Sequence, residues 1–360
     1  MKWSTGFTKT FSCRLPIMGA PMLGPSGGQL AAETCRAGGL GFLAAGHLNS
    51  KEALHSLERE IEIFKEASNN EEFPLCIGFI GHSTFATEQG WSLFENVLED
   101  YNPSVIQVFA PAISYMKNNG TKTSVVQLAH SYGCKVIAQV GCESDGARAL
   151  KEGVDCVIAQ GTEAGGHGVR REHGCGTLSL TSRLVKLSKG KIPVLAAGGI
   201  VDGSGLIAAL ALGADGVVLG TRLWASNEAK GPSAYKDAMV AATSADQVVR
   251  TEAFDVIWNS YRGTKWPAPF DSSGVLRNKF TDAWDEKIPD LRKELESGEE
   301  SNIVKEFKEC SAAQDTDFSC VFSGKGVASI DSIEPAFDII TNIEKEAIKS
   351  LQRVNVVAQE

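Results

Sequence analysis

The chain has 360 residues, 43% of them hydrophobic and 37 of them glycine, a balance suited to a globular α/β protein with many tight strand–helix turns. A formal net charge of −9 argues against a general nucleic-acid binder and gives no encouragement to binding an anionic membrane surface. Nine scattered cysteines without a CxxC pair, an amino terminus without an apolar signal region, and no apolar run near the ~20 residues of a membrane helix make a soluble cytoplasmic protein the expectation.

In chain order, short apolar runs rich in Val, Ile, Leu or Phe fall at 15–20, 40–45, 75–80, 105–109, 136–140, 156–159, 194–197 and 217–219. Such runs suit strands covered on both faces in a parallel sheet. Helical periodicity lies between them. Leu54, Leu57, Ile61 and Phe64 share one face, opposite Glu58, Arg59, Glu62 and Lys65. Segments 124–132, 144–152, 180–188 and 204–212 fit the same role, and Gly133, Gly153, Gly190 and Gly213 stand where left-handed helix ends are expected.

Eight β/α repeats predict a TIM (β/α)8 barrel built from 1–224 and 316–360. An open doubly wound sheet is the alternative, because pattern does not prove closure. After Trp224 the rhythm fails. Residues 225–315 hold helical stretches at 235–242, 288–296 and 303–310, one strand-like run at 248–251, and Trp258, Trp266, Pro267, Pro269 and Trp284. That is too long for a connection, so it reads as a small, mainly helical domain inserted after strand eight and covering the active site. A helix over 335–348 offers Ile339, Ile340 and Ile343 to pack back on the barrel.

The glycine motifs sit at the carboxyl ends of these strands, where barrel enzymes build their sites. Gln160-Gly161-Thr162-Glu163-Ala164-Gly165-Gly166-His167 follows strand six. Paired glycines admit a ligand to the backbone, and the histidine can exchange a proton near neutral pH. Gly198-Gly199-Ile200 and Gly220-Thr221-Arg222 follow strands seven and eight, where barrels most often hold a phosphate. No P-loop or dinucleotide fingerprint follows an early strand, so a mononucleotide such as FMN suits the pair of loops better. No cluster has metal-ligand spacing, and no GxSxG elbow is present.

Pro21-Met22, the Gln160–His167 loop, Ala196-Ala197-Gly198-Gly199-Ile200 and Leu219-Gly220-Thr221-Arg222 together resemble the nitronate monooxygenase family, once called 2-nitropropane dioxygenases. The likeness covers about 15–225 and the tail from Phe322, and is weakest in the insertion. It implies an FMN-bearing TIM barrel with a small second domain. By position, Gly198, Gly199, Gly220 and Thr221 would hold the FMN phosphate, with Ala196 beside them. Pro21, Met22 and Leu23 would support the flavin ring, and Gln160, Gly165 and Gly166 would meet the cofactor. His167 would be the active-site histidine. Gln139 stands where relatives often carry a lysine facing the flavin, so a neutral amide replaces a cation there. Gly168-Val169-Arg170-Arg171 and Leu23–Gly28 also depart from the family pattern.

The resemblance implies oxidation of alkyl nitronates, and of nitroalkanes where His167 removes a proton, by FMN and O2 to a carbonyl compound and nitrite. A homodimer is compatible with it. Two alternatives stand beside it: an FMN-type enoyl-acyl-carrier-protein reductase using NAD(P)H, and a catalytically inactive flavin-binding barrel. Glu163 reads as structural, and Arg170-Arg171 as candidate ligand contacts. His47 and His82 lie on the site face, His173 reads as solvated surface, and His55 and His130 as helix residues.

Overall fold

The structure is a computed structural model that describes residues 2–110, 114–116, 122–262, 265–296 and 298–357. Residues 263, 264 and 297 of the expected insertion and 358–360 of the tail lie outside the described residues. All eight expected strands form: β1 (Ile17–Gly19), β2 (Leu43–Gly46), β3 (Cys76–Ile80), β4 (Val105–Phe109), β5 (Lys135–Val140), β6 (Cys156–Gln160), β7 (Val194–Ala197) and β8 (Gly216–Leu219).

They make one eight-stranded parallel sheet in the order β1-β8-β7-β6-β5-β4-β3-β2. The sheet is curled, and an isolated bridge lies between its first strand and the approach to β2. Met18 of β1 bridges Leu40, just before β2, with Gly19 N–H donating to the Leu40 carbonyl and Leu40 N–H to that of Ile17, both at 2.9 Å.

Strand pleating sends alternate residues to opposite faces. Met18, Ile137, Ile158, Leu195 and Val218 fill the inner layer, joined from the amino-terminal end by Phe7 and Phe11 of the helix Gly6–Phe11. That helix has no counterpart among the sequence-based expectations. The outer faces pack against the connecting helices, among them Lys51–Ala67, whose Leu57, Ile61 and Phe64 are buried as its periodicity requires. Gly133, Gly153, Gly190 and Gly213 all take positive φ at helix ends. The tail helix Ala336–Val357 buries Ile339, Ile340 and Ile343 and packs on the helix Gly203–Ala211.

Residues 225–315 contain a longer set of elements than the sequence pattern shows. The helix Ala253–Arg262 and the strand Ser272–Leu276 join the expected strand Val248–Thr251 and the helix Asn302–Ala312. Phe254, Ile257, Phe280, Leu291, Val304 and Phe307 form a core there. Ser272–Leu276 is central in a three-stranded antiparallel sheet whose other edge is Gly166–Gly168, so His167 pairs directly with Ser273. This seam ties the segment to the loop after β6.

Candidate active site

A cavity of about 480 Å³ opens at the carboxyl ends of the strands. Of the sequence-predicted residues, Pro21, Met22, Leu23, Gln139, Gln160, Gly165, Gly166, His167, Gly198, Gly199, Gly220 and Thr221 all line it. Ala196 does not. The pleat turns it outward to pack with Val217 and Leu206, and its neighbour Ala197 lines the wall instead.

One corner is almost bare backbone. Gly198 holds φ +119°, and a Cβ there would stand 2.8 Å from Thr177 Oγ1 and 2.9 Å from the Ala164 nitrogen, so only glycine fits. A Cβ on Gly220 would meet nothing nearer than 3.9 Å, which leaves open space over that residue. Thr221 Oγ1 accepts from the Gly324 N–H at 2.9 Å, bringing the tail segment Gly324–Gly326 into the same wall. The signal for this contribution, Ser323-Gly324-Lys325-Gly326, was legible in the sequence but was not read as part of the site.

The loop after β1 forms the adjoining wall. Ser26 donates to the Ala20 carbonyl and accepts from the Met22 N–H, closing a tight turn that sets Pro21 against Gly78. Leu23 reaches over Gly46 but remains half exposed, at the rim rather than the floor.

Three carboxamides reach the cavity from β4, β5 and β6. Gln107 Nε2 donates to Gln139 Oε1 at 3.2 Å, and Gln160 Nε2 donates to the His167 carbonyl at 2.9 Å. Gln160 Oε1 is buried in the cavity wall without a partner among the described residues. A buried acceptor left open costs about 1–3 kcal/mol, so the site calls for a ligand donor there. Gln107, fully buried in a run read only as apolar strand, was missed.

His167 is held on several sides. Its Nε2 lies 2.8 Å from Asp255 Oδ1, its ring stacks on Trp266, and Phe322 packs 5.6 Å away. Arg250 is buried and donates to the carbonyls of Thr162, Ala164, Gly166 and Ser272, clamping the loop from below. Burial pushes that guanidinium down to about 10. Glu163 accepts from the N–H and hydroxyl of Thr177, both at 2.7 Å, and so caps the helix Thr177–Ser188, the structural role its place suggests. Arg170 and Arg171 are not free for a ligand: Arg170 pairs with Asp271 and Glu252, and Arg171 with Asp285.

His47 and His82 come to the same place. His82 lies 4.5 Å and His47 5.6 Å from Trp266, centroid to centroid. Ser83 donates its hydroxyl to the Ile80 carbonyl, so it accepts from His47 Nδ1–H at 2.7 Å. Burial pushes both imidazoles down to about 4, with the neighbouring histidines adding to it. They are neutral groups at pH 7. His173 is exposed, and His130 pairs with Asp155 away from the cavity. Among the described residues no group of three His, Cys, Asp or Glu is placed to hold a metal, and no helix is long and apolar enough to cross a membrane.

The family model for nitronate monooxygenase matches residues 103–346, two-thirds of the chain, from β4 into the tail helix. The chain belongs to the nitronate monooxygenase family. A nitronate monooxygenase of Neurospora crassa is 29% identical over 95% of this chain and 91% of its own. The nitroalkane oxidase of Streptomyces ansochromogenes superposes with a TM-score of 0.74 at 25% identity, over 97% of this chain and all of that one. FabK from Thermotoga maritima superposes with a TM-score of 0.72 at 26% identity, over 98% and 99%.

Within this family frame, Asp255 and Trp266 join Gln107 and Gly324–Gly326 as site residues that lay hidden. The first two belong to the segment where the motif likeness is weakest, and an Asp in an amphipathic helix carries no signal of its own.

Proposed function

We propose that this chain binds FMN in the cavity and oxidises alkyl nitronates with O2 to a carbonyl compound and nitrite. The observation that carries the reading is the family's glycine-loop histidine, His167, standing in one cavity with the bare-backbone corner of Gly198, Gly199, Gly220 and Thr221. We read the sheet as a closed TIM barrel and 225–315 as a small domain over the cavity mouth.

The residues fit the cofactor. The open corner suits a terminal phosphate held by backbone N–H groups and the Thr221 side chain. Gln160 Oε1 offers the acceptor that a ring N–H lacks elsewhere, and Pro21 and Met22 give the ring an apolar support. Bound FMN would supply the oxidation of the nitronate and the transfer of electrons to O2.

The chain's own residues do the rest. Trp266, Phe109 and Phe322 keep water from the reacting carbon. His47, neutral at working pH, adds no charge to the cavity wall. With a neutral nitroalkane, His167 takes the proton from the carbon bearing the nitro group. The C–H electron pair then moves into that group and gives the nitronate anion.

Anaerobic mixing tests this directly. The purified protein should be yellow, and propyl-2-nitronate should bleach its flavin while NADH does so poorly. Rapid NADH oxidation coupled to a crotonyl thioester would overturn the reading in favour of a reductase. A flavin inert to both reagents would point to a binding protein.

A further inference from the structure

We infer that Asp255 is a positioning residue that fixes the tautomer of His167, leaving Nδ1 as the nitrogen that receives the substrate proton.

The geometry is a buried chain of three groups. Ser273 Oγ donates to Asp255 Oδ2 at 3.3 Å, and Asp255 Oδ1 lies 2.8 Å from His167 Nε2. The carboxylate is 8% exposed and the imidazole 14%, so water does not satisfy the pair. An ionised carboxylate only accepts hydrogen bonds, so it requires the proton on Nε2. In the neutral imidazole Nδ1 then carries the lone pair. Nδ1 has no hydrogen-bond partner among the described residues, and the side chain it belongs to lines the cavity.

The ring has little freedom to turn away from this arrangement. Trp266 covers one face, at a centroid distance of 3.9 Å and 12° between planes. Gln160 holds the His167 carbonyl, and the strand pairing to Ser273 holds its backbone. The titratable or charged groups about the ring are Asp255, the imidazoles of His47 and His82, Arg250 on the Gly166 carbonyl, and Arg262 in the cavity wall. Among them Asp255 is the anion in direct contact, and it comes from the helix Ala253–Arg262. Residues 225–315 therefore complete the base as well as covering the cavity.

The kinetic consequence rests on the nitroalkane reading above; the tautomer does not. In Asp255→Asn the amide can donate to Nε2 and move the imidazole proton to Nδ1, which removes the base. We expect kcat/KM for a neutral nitroalkane to fall on the order of 100-fold, and any residual activity to show its acid limb at lower pH. Turnover of the preformed nitronate, which needs no proton removal, should fall much less than that of the nitroalkane, and Asp255→Glu should recover part of the loss. Unchanged nitroalkane kinetics and pH profile in Asp255→Asn overturn the inference.

A second measurement needs no folded variant. Nitrogen-15 NMR of the holoenzyme, labelled at its six histidines, should show the His167 signal protonated at Nε2 and unprotonated at Nδ1. The opposite tautomer overturns the inference even if the enzyme proves active. Confirmation of this tautomer in a protein inert to nitroalkane and nitronate would sink the proposed function alone.

Discussion

The His167 imidazole lies flat on the Trp266 indole, their centroids 3.9 Å apart and their planes 12° from parallel. Both line the cavity, His167 from the loop after β6 and Trp266 from residues 225–315. Stacking fixes the ring plane while the Asp255 contact fixes rotation within it, so the imidazole is held in two independent ways.

Removing the indole tests the first of these. Trp266 is 93% buried and also touches His47, His82 and Phe109, so Trp266→Ala empties a large volume at the site. A loss of about 3 kcal/mol in unfolding free energy is expected, with a fall in kcat on nitroalkane as the ring becomes free to turn. Trp266→Phe keeps an aromatic face and should lose much less of either. Denaturant titration with steady-state kinetics on both variants checks this; equal activity in the Ala and Phe variants would show that stacking does not matter.

The glycine corner gives a contrast between two outwardly similar changes. Gly198→Ala forces a side chain onto φ +119° and into Thr177 and Ala164, so destabilisation of about 2 kcal/mol or more is expected before any ligand is considered. Gly220 has an ordinary φ and open space around it. Gly220→Ala should therefore change stability by less than about 1 kcal/mol, yet weaken FMN, because the methyl occupies the space over the backbone. Fluorescence titration of apoprotein with FMN, beside thermal melts, separates the two. Wild-type FMN affinity in Gly220→Ala would move the phosphate elsewhere.

Much of this architecture was legible in the sequence because local signals and global position agreed. The strand runs are apolar on both faces, and the helix ends need a left-handed residue, which glycine supplies without a Cβ clash. Gly198 was legible for the same reason, since its positive φ and close neighbours demand glycine. What stayed hidden depends on tertiary contact. Ser272–Leu276 begins Ser-Ser-Gly because it threads against the β6 loop, where a Cβ at Gly274 would meet the Ala164 carbonyl at 2.4 Å. That requirement erases the apolar pattern by which strands are recognised. Ala196 was misplaced by one pleat: a four-residue strand buried on both faces does not reveal which residue points inward.

His47 and His82 give the protein a pH signature. Burial holds both at about 4 in the folded state, against 6.5 for the free imidazole. A lowered basic group means that the unfolded chain binds protons first as pH falls. Stability is thus flat above pH 6.5, declines from 6.5 to 4, and loses nothing more to these groups below that. After discounting for their partial exposure, the pair should account for on the order of 2 kcal/mol across the window. Urea titrations at pH 7, 5.5 and 4.5 should show a shallower decline in the His47→Gln/His82→Gln double variant than in the wild type. Parallel declines would mean that the histidines titrate normally.

Gln139 offers the sharpest test of how this chain departs from its family. Its Oε1 accepts from Gln107 Nε2, which leaves its own N–H groups as neutral donors in the cavity wall. A lysine in the same place, as relatives often carry, would add a cation that favours the reduced, negatively charged flavin over the oxidised one. Gln139→Lys should therefore raise the midpoint potential of bound FMN and speed anaerobic bleaching by nitronate. It should also lower the stability of the apoprotein, since the ammonium loses water there and Gln107 loses its acceptor. Gln139→Met, which has no donor, should move the potential the other way. Potentiometric titration of the two holoproteins decides the matter: equal potentials would place residue 139 out of electrostatic reach of the flavin ring.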